Sequence, residues 1–472
     1  MNHAQELGTK PMGQLLAKMA IPASVGILVM SIYFIVDTIF VGRFVGTLGI
    51  AAITVVMPIT FFISSIGMAI GVGGSSIISR ALGAEDARKA CHAFGNMASL
   101  TFLIVLAVLL AGSFFRAPIL ELFGANGDIM GPAREYFDII LVGVPGLAWA
   151  MMSNNVMRAE GRPKMAMLTM MVPAVANLIL DPILIIWLDM GLAGAAWATT
   201  ISYYLSASFA LWFFFSGRSE LRLFRSSMIL KWALVQEIFS IGLVTLARQG
   251  TISLLSIVLN HSLFQYGNEL AVAIYGVINR VMMFANFPVL GITQGFLPIA
   301  GYNYGAKKWG RVKDIINYSI RSGTLIAMGL FTGIILFSTQ IVSLFTNDPE
   351  LLAQAPSALT LAFLATPLIT VQLVGAAYFQ AIGKAKPALF LTLTKQGFFL
   401  IPFVLLLPTF FGLDGIWYAF PVSDVLAAGV TYAYLRMEIR SKLDVAVREE
   451  ELELAAVGRE EEGDVVRGCR MQ

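Results

Sequence analysis

Ala159-Glu160-Gly161-Arg162-Pro163-Lys164 returns as Ala381-Ile382-Gly383-Lys384-Ala385-Lys386, the two stretches lying 222 residues apart. Each is a short Gly-containing, basic join between two long apolar runs. The same spacing recurs elsewhere. Gly83-Ala84 reappears as Gly305-Ala306 and Leu122-Phe123 as Leu344-Phe345, both at 222, while Gly191-Leu192-Ala193-Gly194 reappears as Gly412-Leu413-Asp414-Gly415 at 221. One small-residue match carries little in an apolar chain. Four landmarks over about 110 residues at one spacing predict two related halves.

The runs between the landmarks read as membrane spans. Of 472 residues 57% are hydrophobic and 13% charged, and the mean hydropathy is +0.78. A soluble domain carries roughly 25% charged residues, so most side chains here face lipid or other apolar helices. A hydrocarbon core of about 30 Å needs about 20 mostly apolar residues per crossing. Such runs fall at about 16–42, 52–79, 93–115, 133–156, 165–187 and 191–215, then 234–260, 271–299, 314–337, 353–378, 387–409 and 412–435. The first run lacks a small-residue cleavage site and is expected to remain as helix 1.

The basic residues test that count. With the N-terminus in the cytoplasm, the inside segments hold twenty-one Lys and Arg, from Lys10 to Lys442, and the outside connections only Arg43 and Arg116. This is the positive-inside pattern, and one missed helix would scramble it. The expected organisation is therefore an all-α integral membrane protein of twelve spans in two parallel-repeat six-helix lobes. Residues 1–216 form the first lobe, 217–233 a cytoplasmic linker, 234–443 the second lobe and 444–472 an acidic cytoplasmic tail. Cys91 and Cys469 both fall on the cytoplasmic side, where disulfides are not expected. Two parallel lobes enclose a cavity that opens alternately to either side, which predicts a transporter in the cytoplasmic membrane with both termini inside. The sequence shows no phosphate-binding glycine loop, no His/Glu metal cluster and no nucleic-acid-binding motif, and no enzymatic role is expected.

An acid at mid-membrane costs about 2.5–3.5 kcal/mol on insertion scales and marks a functional site by default. Asp37 lies six residues before Arg43 and Asp181 eight before Asp189. At ~1.5 Å per residue these are depths of about 9 and 12 Å below the outer end. Asn177 precedes Asp181 by one turn on the same face, Thr199 reaches a similar depth in helix 6, and Tyr33 sits one turn before Asp37. Two carboxylates, an amide and a hydroxyl thus converge in one layer. Either a bound Na⁺ held by Asp37, Asn177, Asp181 and Thr199 compensates the acids, or one carboxyl holds a proton. The bland alternative is that Asp37 reaches the outer interface and Asp181 only accompanies the break at Pro182.

The second lobe offers Arg248, Arg280 and Lys395 inside its spans and no acid to match them. Pro22 shares helix 1 with Asp37 and permits a bend there that could follow protonation. Met and Gln side chains suited to a polyspecific cavity include Met151, Met171, Met283 and Gln294.

Three further stretches complete a pattern: Val36-Asp37-Thr38-Ile39-Phe40-Val41-Gly42, Gln294-Gly295-Phe296-Leu297-Pro298 and Asn303-Tyr304-Gly305-Ala306-Lys307. With the Gly-Ala landmarks they resemble the multidrug and toxic compound extrusion (MATE) family, from the start of the chain to about residue 443. The resemblance implies twelve helices in two lobes and export of cationic amphipathic compounds driven by H⁺ or Na⁺, with no other cofactor. It maps the family's ion site onto Asp37, Asn177, Asp181 and Thr199, with Tyr33 and the helix 6 backbone near Ala195 alongside. One branch carries acids within helices 7 and 10. Here helix 7 has only Glu237, at its cytoplasmic end, and helix 10 has none, so the DinF-like branch fits better. The expected partners are amphipathic cations and membrane lipid, with the chain acting as a monomer. The alternative is a flippase for lipid-linked precursors.

Overall fold

The computed structural model describes residues 3–449. Most of the expected acidic tail, including Glu460-Glu461-Glu462, and Cys469 lie outside them. Among the described residues the chain is predominantly helical and has no strand. The spans of the first half are α1 Met12–Phe44, α2 Thr47–Gly83, α3 Ala87–Phe114, α4 Met130–Ala159, α5 Pro163–Asp181 and α6 Gly191–Phe215. A single helical run, Trp232–Gly305, follows. It breaks at Asn268, where φ is 61° and the side-chain oxygen accepts from the Leu270 N–H at 2.9 Å. The run therefore supplies two spans, α7 (232–267) and α8 (269–305). The rest are α9 Trp309–Ser343, α10 (Pro349–Phe363 and Thr366–Ala381, bent by 42°), α11 Ala385–Phe411 and α12 Leu413–Glu438. α6 and α12, at 25 and 26 residues, are long enough to cross a ~30 Å core.

The quoted turns are built alike. Gly161 closes α4 into α5 at φ +74°, and Gly383 closes α10 into α11 at φ +83°. Both lie in the left-handed region that glycine enters without Cβ strain. The fifth helix of each half also carries a π-helical segment, Pro182–Trp187 after α5 and Thr394–Leu400 within α11. Pro182 has no N–H to give the Leu178 carbonyl, which loosens the ladder directly beside Asp181. α1 runs unbroken through Pro22.

Packing distinguishes the two ends of the molecule. At the end rich in Lys and Arg, the halves share their cores. Leu15, Leu16 and Met19 of α1 pack with Phe296, Ile299, Ile315 and Tyr378, while Ile77, Met97 and Val156 pack with Leu234 and Ile238. At the opposite end each half keeps a separate core, one around Val56, Ile140 and Ala196 and the other around Leu259, Ile278 and Leu359. The halves are thus joined at the basic end and parted at the other.

Polar contacts reinforce the joined end. Arg80 of α2 pairs with Glu237 of α7 at 2.6 Å, and the Ser76 hydroxyl donates to the Gln380 and Ala381 carbonyls. The N-terminal segment straps the second half: the carbonyls of Leu7, Gly8 and Lys10 accept from Asn303, Lys308 and Arg311 at 2.9, 3.0 and 2.7 Å. The linker is held to the first half. Glu160 Oε1 accepts from the Ser219 hydroxyl and from the Glu220 and Leu221 N–H groups, and Asn96 bonds Ser227, Ile229 and Lys231.

Candidate functional site

α1, α5 and α6 converge on the predicted acids. Asp37, Asn177, Asp181 and Thr199 are 7%, 1%, 1% and 4% exposed. The Asp37 and Asp181 carboxyl groups meet within hydrogen-bonding reach. With its amide oriented to satisfy its neighbours, Asn177 donates to Asp181 Oδ2 at 2.7 Å, and its oxygen accepts from the Thr199 hydroxyl at 3.3 Å. The Thr199 hydroxyl also lies within reach of Tyr33. Ala195, one turn earlier in α6, is buried in the same wall. The residue counts that set Asp37 and Asp181 at similar depth therefore describe real neighbours.

Two residues of this site were missed from sequence. Tyr136 of α4 reaches Thr199, and Tyr203 of α6 lies beside Asp37. Tyr203 follows Thr199 by four residues and so shares its helix face, a signal that was available. Nothing in the sequence pointed α4 toward the acids.

The second half corrects an expectation. Lys395 does have a matching acid: its Nζ lies 2.6 Å from Asp424 Oδ1, and Asp424 is 5% exposed. The pair staples the π-helical turn of α11 to α12. Asp424 sits well inside the twelfth span, but only the facing of α11 and α12 shows what it meets. Arg280 is exposed and Arg248 is half-buried; only Lys395 among the three has a carboxylate partner among the described residues.

The cavity candidates separate. Gln294 lies in the seam between the halves, where its Oε1 accepts from Arg158 Nη1 at 2.5 Å. Met151 is half-buried against Gly67. Met171 is half-buried, and Met283 is 43% exposed.

Two six-helix halves, joined at one end and parted at the other, with a buried acid pair inside the first half, define a membrane transporter of the alternating-access class. Two stretches of the chain, residues 22–183 and 245–406, match the MatE family. They are offset by 223 residues, the repeat again, and the chain belongs to that family. It is 29% identical over 429 residues to the multidrug export protein MepA of Staphylococcus haemolyticus (strain JCSC1435), covering 90% of this chain and 93% of that protein. It superposes at a TM-score of 0.88 and 26% identity on the outward-facing conformation of a multidrug resistance MATE family transporter of the MOP superfamily, covering 94% of this chain and 99% of that one. A MATE structure in the bent conformation gives 0.89 at 25% identity, with 95% and 99% covered.

Proposed function

We propose that this protein is an H⁺-coupled antiporter that exports cationic amphipathic compounds, including drugs, across the cytoplasmic membrane. The basic end is the cytoplasmic end by the positive-inside pattern, so the described state is closed to the cytoplasm and open outward. The observation that carries the coupling reading is the contact between Asp37 and Asp181. A carboxyl–carboxyl hydrogen bond contains one proton. A Na⁺ site would want hard oxygen donors converging on the ion. In this reading protonation joins α1 to α5, and loss of the proton frees α1 for the return of the lobes. Pro22 lets α1 change its bend between the two states.

Met151, Met171, Met283 and Gln294 are assigned to the cargo path, and the chain works as a monomer with both termini inside. The two lobes span residues 1–216 and 234–443. The DinF-like assignment rests on the sequence of helices 7 and 10, where Glu237 at the cytoplasmic end of helix 7 is the one acid. Asp37→Asn tests the reading: efflux of ethidium from cells should be lost while the protein still inserts, and unchanged efflux would refute coupling through Asp37.

A further inference from the structure

Arg158 ends α4 at the base of the seam and is 6% exposed. A charged side chain this deep is normally met by an acid. Its hydrogen-bond partners are neutral: the Gln294 Oε1, the Asn154 Oδ1 and the Met170 sulfur at 3.8 Å. No carboxylate pairs with it among the described residues. The cleft it lines takes Ser76 and Ser79 from the first half and Gln294 and Pro298 from the second.

The Arg158–Gln294 bond crosses between the halves at the end that must part when the transporter opens to the cytoplasm. Opening removes the Gln294 oxygen and turns the Nη1 donors into the cavity, while Asn154, one turn back in α4, keeps its hold on Nη2. A guanidinium anchored through Nη2 and freed at Nη1 offers a carboxylate a charge-assisted hydrogen bond.

We propose that Arg158 is a substrate subsite, exposed on the cytoplasm-facing side of the cycle, that takes the carboxylate of zwitterionic amphiphiles. Arg158 would then set the preference for zwitterions over simple organic cations, with Gln294 standing in for the cargo carboxylate when the seam is shut. The inference rests on the export reading above.

A matched dye pair tests it. Rhodamine 110 carries a free carboxylate, and rhodamine 123 is its methyl ester. In vesicles reconstituted with the full chain and energised by a pH gradient, wild type should move both. Arg158→Gln should move rhodamine 123 within about twofold of wild type and rhodamine 110 at least about tenfold more slowly, the worth of one hydrogen bond to a charged group. Arg158→Lys, which keeps the charge without the fork, should raise the KM for rhodamine 110 alone; it also serves if Arg158→Gln does not fold. Equal loss of both dyes would assign Arg158 a purely structural role and overturn the subsite, as would equal retention. Wild-type flux of rhodamine 123 without rhodamine 110 also overturns the subsite but leaves the export reading standing. Flux of neither dye refutes that reading.

Discussion

Gly83 of α2 lies against the carbonyl of Tyr302, and its repeat partner Gly305 lies against the carbonyl of Arg80. Arg80 and Tyr302 are themselves separated by 222 residues, so the contact is one interaction made twice about the axis that relates the halves. A Cβ added at Gly83 or Gly305 would sit 1.9 or 2.0 Å from the facing oxygen. Backbone cannot retreat from such an overlap, so only glycine lets the two halves close at the basic end. The Gly-Ala landmark that reveals the repeat in the sequence is therefore the seam of the transporter.

Gly83→Ala and Gly305→Ala should each wedge the seam and disfavour the closed state by about 1–3 kcal/mol, the usual cost of overpacking. Distances between spin labels on the two halves at the basic end should lengthen, and efflux should fall. Gly276→Ala, whose added Cβ meets nothing within 4 Å, should leave both unchanged. Unaltered distances in the seam variants would contradict the closure role.

The acid pair predicts unequal effects around it. Asp37→Asn and Asp181→Asn should each abolish gradient-driven efflux. Asn177→Ala should only weaken it, by about tenfold, because it removes one hydrogen bond to a charged or protonated group and leaves both carboxyls. Equal, complete loss in all three, at equal expression, would point to collapse of the site rather than coupling.

In the second lobe, Asp424→Asn strands the Lys395 ammonium. Breaking a buried pair on one side costs about 3–5 kcal/mol, whereas replacing both partners by apolar residues can be neutral. Thermal unfolding in detergent should therefore show a large loss for Asp424→Asn and recovery in Lys395→Met with Asp424→Leu. A double variant as unstable as the single one would mean that the pair does more than staple α11 to α12.

Glu160 ties stability to pH. Burial pushes its carboxyl from 4.5 up to about 7, against the three donors from Ser219, Glu220 and Leu221. The folded chain thus holds a proton there that the unfolded chain has lost. The stabilisation is complete below about 4.5 and disappears as pH rises through about 7. The unfolding midpoint of wild type should fall between pH 5 and pH 8 by more than that of Glu160→Gln. Equal slopes would contradict this account of the linker anchor.

How far the sequence carried these readings depends on what each required. Asp37 and Asp181 could be placed at one depth because a helix converts residue counts into distance, and Asn177 and Tyr33 followed from one-turn spacing. Gly83 and Gly305 announced a repeat through their shared offset. The residues that escaped are those whose partners lie on other helices. Tyr136, the Lys395–Asp424 pair and the Arg158–Gln294 bond all depend on which faces of two helices meet. In lipid an apolar face does not mark the buried side, so periodicity gives little help there. The turn sequence around Gly161 was legible as a landmark, but the role of Glu160 in anchoring the linker needed the fold.

The central claim is that the Asp37–Asp181 pair couples proton entry to export. Vesicles carrying the purified protein, loaded with ethidium and given a pH gradient or a Na⁺ gradient separately, test it most directly. The account predicts flux that follows the pH gradient, ignores Na⁺ and vanishes in Asp37→Asn. Flux driven by the Na⁺ gradient alone, or pH-driven flux that survives Asp37→Asn, would contradict it.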